Sequence, residues 1–327
     1  MMKKKKETDF RRIFPALLLC STVLPCTQGL AAAQPTHKVA ITFDDLPYVM
    51  HAGASQEESQ ADALMANRAI LAILRRDAIP VTAFVNEDKV QALGTVGTDI
   101  LAQWNQGALV LANHAAHHVD SNTLTPARFE NEIREGERSI GPLARRAGRH
   151  LDFFRFPFNH AGDTESKRIA FSEIVKRLGY RQAATTIDVE DYLFNDAYEC
   201  AHATHRSDDE ARIRQAYVAY ARIEIPYYRA LDEKIMGRDI PAVMLFHSNR
   251  LNAAVLPQIL ALFKEQHYRF VTLTQAQADP AFAQEPKIAT KFGPMWGYRW
   301  AQERHIAVDG RLEQEPPDWV RLYCHTP

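Results

Sequence analysis

The chain has 327 residues, of which 46% are hydrophobic and 24% are charged, and it holds 14 Gly and 17 Pro. This composition is that of a globular protein, and it excludes a largely disordered chain, a collagen-like repeat and low-complexity sequence. The formal net charge of −1 lacks the basic excess that is typical of nucleic-acid-binding proteins, so we expect no nucleic acid as a partner.

The N-terminal segment 1–33 has the features of a secretory signal peptide. The basic segment Lys3–Lys6 precedes the apolar segment Ile13–Leu24, and Ala31–Ala33 supplies the small residues that cleavage requires. The apolar segment is shorter than the roughly 20 residues that a membrane-spanning helix needs. We therefore expect cleavage after about Ala33, a secreted or periplasmic protein, and no stable membrane anchor after cleavage. An uncleaved anchor is the alternative.

The mature chain would carry 33 basic and 38 acidic residues, a net charge of −5, and only the cysteines Cys200 and Cys324. In an oxidising compartment, two remaining cysteines favour one disulfide, which would tie the C-terminal tail to the body of the protein. Two buried free thiols are the alternative.

Short apolar strands alternate with amphipathic helices along the mature chain. The predicted strands are His37–Phe43, Val81–Val85, Ala108–Leu111, Leu151–Phe156, Arg181–Ile187, Pro241–Phe246 and Arg269–Leu273. The predicted helices are Glu57–Arg76, Asp99–Gln106, Thr125–Ala147, Thr164–Leu178, Asp209–Met236 with a break at Pro226, and Ala253–Gln266. Seven such strand–helix units predict an α/β fold with a mainly parallel sheet, namely a distorted (β/α)7 TIM-like barrel.

This alternation also predicts the domain organisation. We place the barrel domain at residues 34–280 and a helical insertion at residues 192–240, before the last strands. The insertion either shapes the substrate groove or is a peripheral decoration. Residues 281–327 lose the alternation, so we expect them to form a C-terminal extension packed on the barrel.

Polar residues follow most of the predicted strands, and the carboxyl ends of parallel strands share one rim of a barrel. In chain order, these residues are Asp44, Asp45, His114, His117, His118, Arg155, Asp188, Asp191 and His247. The convergence of carboxylates, imidazoles and one guanidinium on a single rim predicts an active site there.

Two imidazoles and one carboxylate form the three-ligand set of a catalytic zinc site, which leaves one position open for water. His114 would share one side of a helical turn with either His117 or His118, and Asp44 or Asp45 would supply the carboxylate. The other Asp would then be free to act as the base, as metal-assisted hydrolysis requires. For the partner of Arg155, the residues alone leave Asp44, Asp188 and Asp191 open.

The ordered motifs resemble those of the polysaccharide deacetylase family, the family 4 carbohydrate esterases, over roughly Val39–Leu273. They are TFDD at 42–45, NHAAHH at 113–118, RFPF at 155–158, DVEDY at 188–192 and LFH at 245–247. The resemblance implies that Asp44 is the catalytic base and His247 the general acid. It implies that the metal ligands are Asp45, His114 and His118.

The remaining motif residues have implied roles around the substrate. Arg155, with Asp188 or Asp191, would belong to the charge network of the catalytic groups. The substrate-binding residues implied are Pro157, Phe158, Tyr192 and Leu245. Four residues in or beside the motifs differ from those usual in the family. Leu46 stands in place of Gly, Phe156 in place of Pro, Phe158 in place of Tyr and Tyr192 in place of Trp. These differences reshape the groove and leave the polysaccharide open.

The resemblance implies a metal-dependent hydrolase that removes acetyl groups, N-acetyl groups in particular, from an oligo- or polysaccharide by water attack. The implied cofactor is a divalent metal, zinc first, with cobalt and nickel as alternatives. A hydrolase of a small non-sugar amide or formamide is one alternative function, and a secreted carbohydrate-binding protein with a vestigial site is another. Trp104 and the aromatic stretch 292–300 are candidates for stacking on sugar rings, although we favour a docking role for these aromatics.

Overall fold

In the computed structural model, the described residues are 37–51 and 53–323. The predicted signal peptide, its cleavage site and Cys324 lie outside the described residues. Cys200 is disulfide-bonded, and its pairing with Cys324 stays a prediction. Among the described residues, no helix combines the length and the apolarity needed to cross a membrane.

The described strands all pair in parallel and form one sheet. They are β1 (His37–Leu46), β2 (Val81–Val85), β3 (Leu109–Asn113), β4 (Phe153–Phe154), β5 (Arg181–Gln182), β6 (Ile187–Asp188), β7 (Ala242–His247) and β8 (Tyr268–Val271). Their order is β5-β4-β3-β2-β1-β7-β6, and β8 pairs with the first residues of β1. The predicted α/β barrel is therefore confirmed, in a distorted form.

The distortion lies in the fifth predicted strand, 181–187, which is divided into β5 and β6. β5 pairs with β4 and β6 pairs with β7, so this segment joins the two edges of the curled sheet. Between β5 and β6, the backbone oxygens of Ala184 and Thr185 do not pair with a neighbouring strand. They accept hydrogen bonds from a side chain and from the C-terminal extension. Arg155 Nη2 donates to the Ala184 oxygen at 2.8 Å, and the Trp296 N–H donates to the Thr185 oxygen at 2.9 Å.

The helices that cover the sheet are α1 (Gln56–Arg76), α2 (Glu87–Leu93), α3 (Thr95–Trp104), α4 (Pro126–Glu135), α5 (Glu137–Arg146), α6 (Glu165–Arg177), α7 (Asp191–Ala203), α8 (Ser207–Met236), α9 (Arg250–Glu265), α10 (Leu273–Ala276), α11 (Trp296–Glu303) and α12 (Asp318–Arg321). Several begin with the expected side-chain caps. Thr125 accepts from the Arg128 N–H, Thr164 from the Lys167 N–H, and Asn249 from the Asn252 N–H.

Several helix predictions were wrong. The helix 125–147 is divided at Gly136, whose Cα lies so close to β3 that a Cβ would stand 2.6 Å from Asn113 Oδ1. Pro226 does not break α8, because the buried side of that helix, including Tyr217 and Tyr228, packs along its whole length. The helices α2, α7, α10, α11 and α12 were not predicted. Most of them have eight residues or fewer, and α7, which has 13, mixes polar and apolar residues.

The central strands are buried on both faces, which explains why they read as continuous apolar runs. The rings of Phe43 and Phe246 lie 5.3 Å apart at the centre of the core, and Trp104 lies 5.4 Å from Phe43. In the C-terminal extension, α11 contacts α8 and α12 contacts α7. The core thus holds β1 and β7 firmly, and their carboxyl ends carry the polar residues of the rim.

Candidate active site

The polar residues predicted for the rim surround one cavity of about 430 Å³. Asp44 pairs with His247 in the register of β1 and β7, so the two strand ends place these side chains at the same level. The predicted site residues that line the cavity are Asp44, Asp45, His114, His118, Phe158, Asp188, Tyr192, Leu245 and His247. Arg155, Pro157 and Asp191 are buried next to those residues.

Asp45, His114 and His118 each offer a ligand atom within 4.8 Å of the others. Asp45 Oδ1 lies 3.4 Å from His118 Nε2 and 3.7 Å from His114 Nε2. This carboxylate oxygen is buried and has no hydrogen-bond partner among the described residues. A buried oxygen without a partner is costly, and a cation would satisfy it. The donor set of two imidazoles and one carboxylate therefore fits a divalent metal.

The surroundings of both imidazoles suit them to bind a metal. His114 Nδ1 donates to the Arg155 carbonyl oxygen at 2.9 Å, which leaves the lone pair of Nε2 directed at the cluster. Burial lowers the pKa of His118 from 6.5 to about 4, so its imidazole is neutral at pH 7. Burial opposes the ionisation of Asp45, yet the positive charge of nearby Lys89, together with that of His247, brings its pKa below the usual range.

The structure separates His118 from His117, which spacing alone could not do. His117 is exposed, and its Nδ1 lies 3.0 Å from Glu132 Oε1 outside the cavity. The expected helical turn is absent from this segment: Ala115 and His118 have φ angles of 66° and 49° in a loop after β3. The loop, rather than a helical face, brings His114 and His118 together.

Arg155 pairs with Asp44, the first of the three carboxylates that the sequence left open. Its Nη1 donates to Asp44 Oδ1 at 2.7 Å and to Thr42 Oγ1 at 2.8 Å, and its guanidinium lies 4.2 Å from the centre of the Phe84 ring. Asp44 Oδ2 points the other way, 3.6 Å from His114 Nε2. One oxygen of Asp44 is thus held by the buried cation while the other faces the metal cluster.

Asp191 is fully buried and faces His247 instead of Arg155. Its Oδ1 accepts from His247 Nδ1 at 2.6 Å, and its Oδ2 accepts from the His247 backbone N–H at 2.7 Å. Burial opposes protonation of His247, but the charge of Asp191 outweighs it and raises the pKa of the imidazole from 6.5 to about 10. His247 therefore carries a proton at neutral pH.

Asp188 lies at the same rim but bonds to neither Arg155 nor His247 directly. Its Oδ1 accepts from the Glu190 backbone N–H at 2.8 Å. Burial and the nearby charge of Asp191 raise the pKa of Asp188 from 3.8 to about 6. Asp188 can therefore influence His247 only through its charge.

Two aromatic residues predicted to bind substrate are exposed in the cavity. Phe158 and Tyr192 line it and are 53% and 45% exposed, and Leu245 lines the same cavity as a buried residue. Trp104 cannot stack on a sugar, because it is fully buried and its Nε1 donates to Asn67 Oδ1 at 2.7 Å. In the stretch 292–300, both tryptophans are also buried.

Several residues of the site were missed. Lys89 lies on the unpredicted helix α2, with Nζ 3.4 Å from Asp45 Oδ2, and no spacing in the sequence relates the two. Asn249 and Asn252 donate to Asp191 Oδ2. The polar residues that follow His247 in the sequence could have indicated these two asparagines, because this segment continues the rim beyond β7. Gly293, from the C-terminal extension, also lines the cavity.

Comparison with solved structures finds relatives of low sequence identity. A family 4 carbohydrate esterase domain of a multidomain xylanase from the hindgut metagenome of Trinervitermes trinervoides is 18% identical, with a TM-score of 0.48, 75% of this chain covered and 91% of that one. A family 4 carbohydrate esterase from Streptomyces lividans, in complex with acetate, is 16% identical, with a TM-score of 0.44 and coverage of 74% and 96%. A family 4 pseudoenzyme from Bacillus anthracis is 17% identical, with a TM-score of 0.46 and coverage of 74% and 66%.

A search of the curated proteins returns no significant match. The family model described as polysaccharide deacetylase matches residues 31–183, a segment that contains the motifs of Asp44, Asp45, His114, His118 and Arg155. The motifs of Asp191 and His247 follow this segment in the chain. Over residues 31–183, the chain is therefore similar to the polysaccharide deacetylase family.

Proposed function

We propose that this protein is a metal-dependent hydrolase that removes N-acetyl groups from a carbohydrate. One observation carries the proposal: a three-ligand cluster, a carboxylate paired with arginine and a protonated histidine face one cavity. The cluster is Asp45, His114 and His118, the carboxylate is Asp44, and the histidine is His247. Hydrolysis of an amide requires these three functions together, namely an electrophile, a base and an acid.

Asp45, His114 and His118 would hold the cation, with zinc as the first candidate and cobalt and nickel as alternatives. When bound there, the cation would polarise the acetyl carbonyl and make a water molecule more acidic. The cluster supplies three ligands, which leaves room for substrate and water.

Asp44 is proposed as the base that takes a proton from the attacking water. Arg155 holds Asp44 Oδ1, so Oδ2 is the oxygen that faces the cluster. The water oxygen then bonds to the acetyl carbon, and a backbone N–H near Phe158 stabilises the developing negative charge on the carbonyl oxygen. The guanidinium fixes the orientation of Asp44 through this ion pair.

His247 is proposed as the acid that protonates the departing amine while the carbon–nitrogen bond breaks. Asp191 keeps this imidazole protonated, since it raises the pKa of His247 to about 10. The products are acetate and the free amine of the sugar. The exposed rings of Phe158 and Tyr192 offer apolar faces against which a sugar ring packs.

The test is release of acetate by the purified protein from N-acetylated chitin oligomers, with the metal content measured in parallel. We expect one equivalent of divalent metal and turnover that chelation abolishes and zinc restores. Asp44→Asn should retain the metal and lose activity by at least about 100-fold, the usual contribution of a general base. Asp196→Asn is the control, because Asp196 is an exposed carboxylate of the same cavity.

Small amides and formamides are assayed beside the sugars. Hydrolysis of these compounds without acetate release from any carbohydrate would replace our proposal with the small-amide alternative. Binding of chitin oligomers without any hydrolysis would favour a carbohydrate-binding protein. Full activity of Asp44→Asn would refute the assignment of the base.

A further inference from the structure

The cavity contains a second histidine paired with a carboxylate, which the proposed mechanism does not use. His160 lines the cavity, and its Nδ1 lies 2.7 Å from Asp120 Oδ1. The carboxylate accepts from the Nδ1–H, so Nε2 remains available to a ligand. Asp120 is itself fixed, because the same oxygen accepts from the Asn122 backbone N–H at 2.8 Å.

His160 is not part of the metal cluster, but both it and His118 lie next to the Phe158 ring. The Phe158 ring is 4.5 Å from the His118 ring and 5.6 Å from the His160 ring, measured between ring centres. The exposed Phe158 ring therefore lies beside both the cluster and His160. A pyranose ring packs on such an aromatic face, so a sugar chain whose acetyl group reaches the cluster would bring a neighbouring unit to His160.

The C-terminal extension holds this part of the cavity in place. Asn122 Oδ1 accepts from the Gly162 N–H at 3.1 Å, and Asn122 Nδ2 donates to the Thr290 oxygen at 3.4 Å. Arg299, which is 3% exposed, donates from Nη2 to the Asn159 oxygen. Gly293 approaches so closely that a Cβ would stand 1.8 Å from the Phe158 oxygen. The wall that presents His160 is therefore anchored from both sides.

We propose, on the basis of the function proposed above, that His160 is a substrate-binding residue oriented by Asp120. It hydrogen-bonds a hydroxyl group of the sugar unit next to the acetylated one. The cavity would then contact at least two units of the sugar chain.

The experiment compares chain lengths in two series of probes. One series is N-acetylglucosamine with its two-unit and four-unit oligomers, and the other is acetylated xylose with oligomers of the same lengths. The measured quantity is the gain in kcat/KM from the single sugar to the four-unit oligomer. For His160→Gln we expect this gain to fall about tenfold, through KM, which is the effect of one lost hydrogen bond. Asp120→Asn should lower the gain in the same direction.

A matched control is His117→Ala, because His117 also pairs with a carboxylate, Glu132, but outside the cavity. This variant should keep the wild-type gain. Calorimetric binding of the four-unit oligomer to Asp44→Asn, with and without His160→Gln, gives a second readout that needs no turnover. We expect the double variant to bind about tenfold more weakly.

The outcomes separate the two proposals. If the wild-type protein releases acetate from neither series, the proposed function is wrong and this inference falls with it. If the wild-type protein is active but treats all lengths alike, or if His160→Gln keeps the full gain and the full affinity, only the role of His160 is wrong. An equal loss on the single sugar and on the oligomer would likewise overturn it, since it would show a structural role.

Discussion

The buried pair of Asp191 and His247 allows the sharpest prediction. Replacing Asp191 with Asn removes the charge that keeps His247 protonated but preserves the shape of the side chain. The pKa of His247 is about 10 instead of 6.5, and one pKa unit corresponds to about 1.36 kcal/mol. The carboxylates around this imidazole, Asp191 first, therefore favour its charged form by about 5 kcal/mol over the imidazole in water. In Asp191→Asn, burial dominates, and we expect the imidazole to be neutral at pH 7.

The assay is a titration of the His247 imidazole by NMR in the metal-free protein, followed by the pH profile of acetate release in the metal-loaded protein. The wild-type imidazole should stay protonated up to about pH 10. The variant should titrate below the usual value of 6.5 and lose activity at pH 7 by about 100-fold to 10,000-fold, the range for a general acid. Asp196→Asn, on the same helix α7, is the control.

The same pair also predicts the direction in which stability changes with pH. Because the folded pKa of His247 is raised, its contribution to stability is complete below pH 6.5 and is lost as the pH rises toward 10. The unfolding free energy of the wild-type protein should therefore fall over this interval, and Asp191→Asn should remove most of that fall. A His247 imidazole that remains protonated at pH 9 in the variant would refute the reasoning.

Three further predictions concern other parts of the molecule. His118→Ala should weaken zinc binding by more than about 100-fold by calorimetry, whereas His117→Ala should bind zinc like the wild type; equal losses would contradict the ligand set. Arg155→Met should lower the unfolding free energy by about 3–5 kcal/mol in urea denaturation, because it leaves Asp44 buried and unpaired, and a loss below about 1 kcal/mol would argue against that pair. Burial raises the pKa of Glu224 from 4.5 to about 7, so its contribution to stability is complete below pH 4.5 and is lost as the pH rises through 7. Glu224→Gln should remove about 3 kcal/mol from the pH dependence of the unfolding free energy. An unchanged dependence in this variant would contradict the prediction.

The strand–helix alternation and the polar residues at the strand ends could be read from the chain because both are local patterns. β2 was predicted at its exact bounds, since buried parallel strands are short apolar runs that end at breaks such as Pro80. The motif residues could be proposed for the same reason, because each lies at the end of a strand or within a few residues of it. The division of the fifth strand could not be predicted, since it depends on bonds from Arg155 and Trp296, which are distant in the chain.

The amino-acid order alone determined the barrel, the rim and the set of side chains that could serve as metal ligands, base and acid, because spacing and strand ends carry that information. Only the tertiary structure decided which groups meet. It placed His117 against Glu132, Arg155 against Asp44 and Asp191 against His247. Pairings of charged groups depend on distances between segments far apart in the chain, and on burial that makes an unpaired charge too costly to keep.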